Sequence, residues 1–161
     1  MITEWFECKV AYDKTMEDGL IKKVKETYLV DALSFTEAEK RFLEEIQPYM
    51  SGEFVVTDIK RAKIAELFES VDSQDDRWFK AKVAFITMDE KTGAEKRTAQ
   101  VMLVQAADLR VAVKNLDKGM SNTLGDYVIV SIAETPIMDI FRYVAGTETN
   151  EAPEFPKAGE R

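Results

Sequence analysis

The sequence has no histidine and only one cysteine, Cys8, among its 161 residues. Histidine is the commonest general base, and histidine and cysteine together supply most transition-metal ligands. Their scarcity excludes the usual Ser-His and Cys-His catalytic pairs, so we predict a protein that is not an enzyme, with no catalytic residue, metal or cofactor. Catalysis by two carboxylates remains an enzymatic alternative, because it needs no histidine. A lone cysteine also excludes an intramolecular disulfide, which fits a reducing compartment.

Long hydrophobic runs are missing as well, and none approaches the roughly 20 apolar residues that a membrane span requires. The first residues, Met1–Phe6, show neither a basic head nor an apolar signal core. Hydrophobic residues make up 45% of the chain and charged residues 32%, which is typical of a soluble globular protein. We therefore predict a cytoplasmic protein with no membrane partner.

What the sequence does contain is an internal duplication. The segment Trp5–Tyr12 returns as Trp78–Phe85, and Ile64–Phe68 returns as Ile137–Phe141, each 73 positions later. An open solenoid would need about three or more copies. We therefore predict that two repeats, 5–68 and 78–141, close into one globular domain over residues 1–145 with pseudo-twofold symmetry. Residues 146–161, with few large apolar side chains, are predicted to form a flexible tail.

Each repeat shows the same order of local patterns. Apolar residues alternate from Phe6 to Tyr12, as in a half-buried strand, and a glycine-containing turn leads to a second strand. Ser34 and Asp108 then precede a change to helical spacing and are good N-cap residues. One or two further strands follow each helix. The predicted fold class is α+β: two ββαβ(β) units with a mixed or mainly antiparallel sheet and two helices on one face.

The face of the sheet opposite the helices is the predicted working surface. Trp5, Trp78, Val55, Val128, Leu29 and Leu103 belong to that face in the strand pattern. If nothing covers it, this would be a large apolar patch, and such patches usually meet a partner. The leading functional hypothesis is a noncatalytic binding or protein-interaction module that self-associates or binds a protein partner, with no small-molecule ligand.

Basic residues that recur in both repeats support an alternative. Lys9 corresponds to Lys82, and the pair Lys22-Lys23 corresponds to Lys96-Arg97. Lysines can contact phosphates while tryptophans stack on bases, so the alternative is a single-stranded nucleic-acid-binding accessory protein. Its candidate residues are Trp5, Lys9, Lys22, Lys23, Trp78, Lys82, Lys96 and Arg97. The net charge of −8 opposes binding to polyanions, and exposed lysines also protect sheet edges, so this hypothesis stays second.

Two other groups are assigned structural roles. Asp72, Asp75 and Asp76 lie between the repeats without the ligand spacing of a calcium loop, which indicates a plain linker. Cys8 falls on the apolar row of its strand, where the second repeat has Ala81, so we expect a small buried hydrophobe.

Several short motifs resemble a family of uncharacterised proteins. They are Trp5-Phe6 followed by Lys9-Val10, the basic pair before Tyr28–Ala32, the helix start Thr36–Glu39 and the segment Ile64–Phe68. The family is a domain of unknown function found in Bacteroidetes and their phages. The resemblance implies a phage or mobile-element origin, and none of its motifs is catalytic.

Overall fold

A computed structural model describes residues 3–142 of the chain. The predicted flexible tail, 146–161, lies outside the described residues. Each repeat contains two long strands, one α-helix and two further strands, so the predicted α+β class and the duplicated ββαββ unit are confirmed. Within residues 3–142, no helix is long and apolar enough to span a membrane.

Each repeat opens with a long β-hairpin. The paired strands are β1 (Glu4–Thr15) with β2 (Ile21–Ala32), and β5 (Arg77–Met88) with β6 (Glu95–Ala106). Both connecting turns contain a glycine with positive φ, Gly19 at 83° and Gly93 at 72°, a conformation that a residue with a Cβ rarely adopts. The turns that the sequence predicts therefore form at the predicted places.

A helix follows each hairpin, and its start is fixed by the predicted N-cap. Helix α1 spans Phe35–Ile46 and α2 spans Leu109–Gly119. The Ser34 hydroxyl accepts a hydrogen bond from the backbone of Glu37, and the Asp108 carboxylate accepts one from the backbone of Val111. These bonds satisfy amides that the first helical turn leaves without an intrahelical partner.

The strands after each helix are divided between two sheets. They are β3 (Phe54–Ala62), β4 (Glu66–Phe68), β7 (Asp126–Glu134) and β8 (Ile137–Phe141). The first sheet has the order β3-β1-β2-β8, and the second has the order β4-β6-β5-β7. The predicted mixed sheet is thus two four-stranded sheets, and each takes its fourth strand from the other repeat. Strand β4 pairs in parallel with β6, and β7 pairs antiparallel with β5.

Each sheet carries its own hydrophobic cluster on the side of its helix. The first cluster joins strands β1, β2 and β8 to α1; the second joins β5 and β6 to α2. Phe141 of β8 is buried in the first cluster, with its ring stacked on Tyr28 at 5.5 Å between centroids. Phe68 of β4 packs at the margin of the second cluster. The exchanged strands therefore complete the cores as well as the sheets.

The chain forms two compact units. Within residues 3–142, the first contains 3–24, Tyr28–Arg61 and 140–142, and the second contains Lys25–Thr27 and Ala62–Asp139. The grouping of residues 1–145 into a single domain with pseudo-twofold symmetry stays a prediction.

Candidate interaction surfaces

The helix-free side of the sheets is covered at its centre. Leu29 of β2 is 0% exposed, Leu103 of β6 is 1% exposed and Trp78 of β5 is 4% exposed, although none of the three belongs to a helix-side cluster. The condition for an open apolar face is therefore not met at these three residues. Their burial removes about half of the predicted patch.

The same faces become exposed at their edge strands, β3 and β7. Val55 of β3 is 63% exposed, and Val128 and Val130 of β7 are 36% and 51% exposed. Val55 and Val128 occupy equivalent positions in the two repeats. Among the described residues, each of these strands has a neighbouring strand on one side alone. An edge strand presents backbone N–H and C=O groups on its open side, so another strand can pair there, next to these valines.

Alternation along β7 explains why its valines point away from the core. Tyr127, Ile129 and Ile132 pack against the second cluster, and successive side chains of a strand point to opposite faces. Val128 therefore lies on the helix-free face, where it is paired with Ala84 of β5. The register shifts between Lys82 and Val83 of β5, a bulge of the kind that bends a strand locally.

Ion pairs occupy the far end of each edge strand. On β3, Lys60 lies 3.6 Å from Glu7, and Arg61 lies 3.1 Å from Glu4. On β7, Glu134 lies 3.7 Å from Arg77 of β5. Charged side chains discourage edge-to-edge pairing, so the accessible apolar part of each edge is the beginning of the strand, around Val55 and Val128.

The two tryptophans of the nucleic-acid hypothesis are poorly placed for stacking. Trp78 is buried, and the ring of Trp5 is half-buried with the guanidinium of Arg142 5.8 Å from its centroid. Base stacking needs an accessible ring face. Neither ring offers a fully open face in the described structure.

The basic candidates of the second hairpin are also spread apart. Lys82 is paired with Val101, whereas Arg97, four residues earlier on β6, is paired with Ile86. At about 3.4 Å per residue this is a separation of roughly 14 Å. Lys96 points to the opposite face from Arg97, and Arg97 itself is 3.0 Å from the carboxylate of Glu95. In the first hairpin Lys22 and Lys23 are exposed near the start of β2, while Lys9 is half-buried in β1.

A buried polar network in the second unit was not predicted. Asp75 is 7% exposed, and its carboxylate accepts hydrogen bonds from the Ser70 hydroxyl at 2.5 Å and the Asn115 side-chain amide at 3.2 Å. Asn115 also donates to the Gln105 carbonyl at 2.9 Å, and the Gln105 side chain accepts from the Ser70 backbone. The segment predicted to be a plain linker is thus hydrogen-bonded to α2 and β6.

A groove of about 480 Å³ lies beside this network. It is lined mainly by the end of β4, the following residues and the last turns of α2, including Phe68, Gln105, Asn115, Lys118 and Asn122. Within residues 3–142, no group of three or more His, Cys, Asp or Glu residues is arranged to hold a metal ion. The hydrogen bonds of Asp75 lead to its neighbours in the fold, so its local role is to anchor the segment between the repeats.

Comparison with known families places the whole duplicated fold in one group. The family model described as a domain of unknown function (DUF4494) matches residues 4–143. The chain belongs to this family. The matched segment includes both repeats, so the family domain is the duplicated unit rather than a single repeat. No curated protein matches the chain.

The one cysteine of this family member lies inside the first cluster. Cys8 is fully buried, and its burial, together with the carboxylates of Glu7 and Asp58, raises the pKa of the thiol from 9.0 to about 12. The nucleophilic form of cysteine is the thiolate. The buried position agrees with the expected small hydrophobe.

Proposed function

We propose that this domain is a noncatalytic protein-interaction module of the phage or mobile-element type, acting in the cytoplasm, and that it self-associates through its sheet edges. The observation that carries the proposal is the recurrence of exposed valines, Val55 and Val128, at equivalent positions of two edge strands. Strand addition at an open edge combines backbone hydrogen bonds with contacts from alternate side chains. A second copy of the chain supplies edges of the same kind.

Of the two edge strands, β7 is the better candidate for pairing with a second copy of the chain. It carries two exposed valines, Val128 and Val130, and its ion pair involves its last residue, Glu134. On β3, two consecutive cations, Lys60 and Arg61, are engaged with β1. The proposed contact therefore centres on the first half of β7.

Sedimentation velocity over a wide concentration range tests this proposal. We expect the wild-type mass to rise with concentration and the double variant Val55→Lys, Val128→Lys to stay monomeric. The two lysines change the net charge from −8 to −6, so a loss of assembly would not come from greater overall repulsion. Leu43→Lys, at an exposed apolar position of α1, is the control for a lysine introduced outside the edge strands and should assemble like wild type. A wild-type chain that is monomeric throughout the range would refute self-association.

Salt dependence separates this function from the nucleic-acid alternative. Copies that each carry a net charge of −8 repel one another, and salt screens that repulsion, so self-association should strengthen as salt rises. Binding of single-stranded oligonucleotides through Lys22, Lys23 and Arg97 would instead weaken, by nearly one log unit in affinity per log unit of salt for each phosphate contact. A fluorescent oligonucleotide that binds at low salt and is released by salt would favour the alternative.

A further inference from the structure

The two fourth strands, β4 and β8, bind in sheets that the other repeat provides. Strand β4 ends the first repeat but joins β6 in the second sheet, and β8 ends the second repeat but joins β2 in the first sheet. The exchange is reciprocal. Neither repeat contains all four strands of its own sheet.

The site that receives β4 fits that strand closely. Glu66, Leu67 and Phe68 pair in register with Met102, Leu103 and Val104. The pairing is extended at both ends, because the backbone of Ala65 donates to the Val101 carbonyl at 2.7 Å and the backbone of Ser70 donates to the Gln105 side chain at 2.9 Å. The short strand is thus held by hydrogen bonds over a longer stretch than its three residues.

The packing of the Phe68 ring holds β4 against the second cluster. Its ring packs against the second cluster and over Gly119 of α2, where an added Cβ atom would approach the ring to 2.6 Å. In the first sheet Phe141 plays the corresponding part, stacked on Tyr28 and 6.4 Å from the ring of Phe42. Each repeat therefore packs a phenylalanine against the core that the other repeat builds: Phe141 is buried in the first cluster, and Phe68 lies at the margin of the second.

We infer that each repeat is a strand donor on which the other depends, so that the two halves remain bound to each other when the backbone between them is cut. The two repeats differ in this respect from independent domains, which have complete cores of their own. The partner that each fourth-strand site recognises is the terminal strand of the other repeat, with its apolar ring as the anchor. This inference does not rest on self-association of whole chains.

The segment between β4 and β5 offers a place for the cut. Val71 is fully exposed, so a protease can reach a recognition sequence inserted after it. The insertion lies outside β4 and separates Ser70 from its hydrogen-bond partners Asp72 and Asp75. Cleavage of the purified full-length protein then gives two pieces, 1–71 and 72–161, with β4 on the first and β8 on the second.

We expect the cut protein to migrate as one species that contains both pieces, and to separate in urea. Phe68→Ser and Phe141→Ser, each introduced before cleavage, should release the pieces at concentrations where the cut wild type stays associated. Glu66→Ser on β4 and Met138→Ser on β8, which alter exposed positions of the same strands, are matched controls and should not release them. If the uncut serine variants lose their circular dichroism signal, the milder Phe68→Leu and Phe141→Leu take their place.

Two results would overturn the inference. One is that the wild-type pieces separate in native buffer, whether or not each keeps the circular dichroism of a folded protein. The other is that the pieces stay together equally well with Phe68 or Phe141 replaced, which would show that the exchanged strands are not what holds them. Val55→Lys and Val128→Lys leave the exchanged strands intact, so failure of edge-mediated self-association would not change the outcome of the cleavage experiment.

Discussion

Gly119, the last residue of α2, lies directly against the ring of Phe68 in β4. A Cβ atom added at Gly119 would lie 2.6 Å from Cδ1 and 2.8 Å from Cγ of that ring. The contact involves the body of an aromatic side chain whose strand is hydrogen-bonded to β6, so the ring has little freedom to withdraw. The absence of a side chain at this position is therefore required for β4 to dock.

Gly119→Ala is expected to lower the free energy of unfolding. Overpacking of a filled site costs about 1–3 kcal/mol, and this should outweigh the gain of up to about 1 kcal/mol from replacing glycine in a helix. Urea unfolding followed by circular dichroism measures the difference. Gly52→Ala is the control, because its added Cβ meets no atom within 4 Å. Equal stabilities for the two variants would contradict the close contact.

The buried Asp75 network gives a second prediction. Asn115→Ala removes the donor to both the Asp75 carboxylate and the Gln105 carbonyl. A buried polar group left without its partner costs about 1–3 kcal/mol, so we expect a loss of that size in the free energy of unfolding. Asn122→Ala changes an exposed neighbour in the same groove and should stay within about 0.5 kcal/mol of wild type. A neutral Asn115→Ala would show that the network contributes nothing to stability.

The local structure of each repeat could be predicted because its causes lie close together in the sequence. Ser34 and Asp108 fix the helix starts through bonds to residues three positions later, and strand alternation gives the core rows from Phe6 and Phe79. The exchange of fourth strands could not be predicted this way. Periodicity identifies β4 and β8 as strands but does not say which sheet edge they join, and both are apolar segments that end in phenylalanine.

The burial of the helix-free face could have been predicted from apolar runs in the sequence, although not from strand alternation. Tyr28–Val30 and Val101–Val104 are uninterrupted apolar runs, and such runs are typical of strands buried on both faces. Asp75 left no comparable signal, because one carboxylate in a polar linker has the same pattern whether it is exposed or hydrogen-bonded. The exposed valines of β3 and β7 depend on strand order, which the sequence did not reveal.

Phe141, on the exchanged strand β8, provides a third prediction. Its ring is buried against Tyr28 and Phe42 in the first cluster, and truncation of a buried phenylalanine typically costs about 3–5 kcal/mol. Phe141→Ala should therefore shift the urea midpoint strongly. Trp5 lies in the first unit and Trp78 in the second, so Trp5→Phe and Trp78→Phe backgrounds report on each unit by fluorescence. We expect the shift in the Trp5 signal, because Phe141 is buried in the cluster of the first unit, and an unchanged Trp5 midpoint would contradict that burial.

The Cys8 thiol gives a prediction about pH. Burial, with Glu7 and Asp58 nearby, raises its pKa from 9.0 in the unfolded chain to about 12 in the folded state. Between these values the folded state retains a proton that the unfolded state has released, so stability falls as pH rises. The contribution is fully present below pH 9.0 and is lost toward pH 12. Urea unfolding at a series of alkaline pH values should show a steeper loss of stability for wild type than for Cys8→Ala, which places the side chain of the equivalent Ala81 at this position.

Native protein should also react slowly with a thiol reagent at pH 9.0 and rapidly once unfolded. Fast native labelling, or parallel pH curves for the two proteins, would contradict a buried protonated thiol.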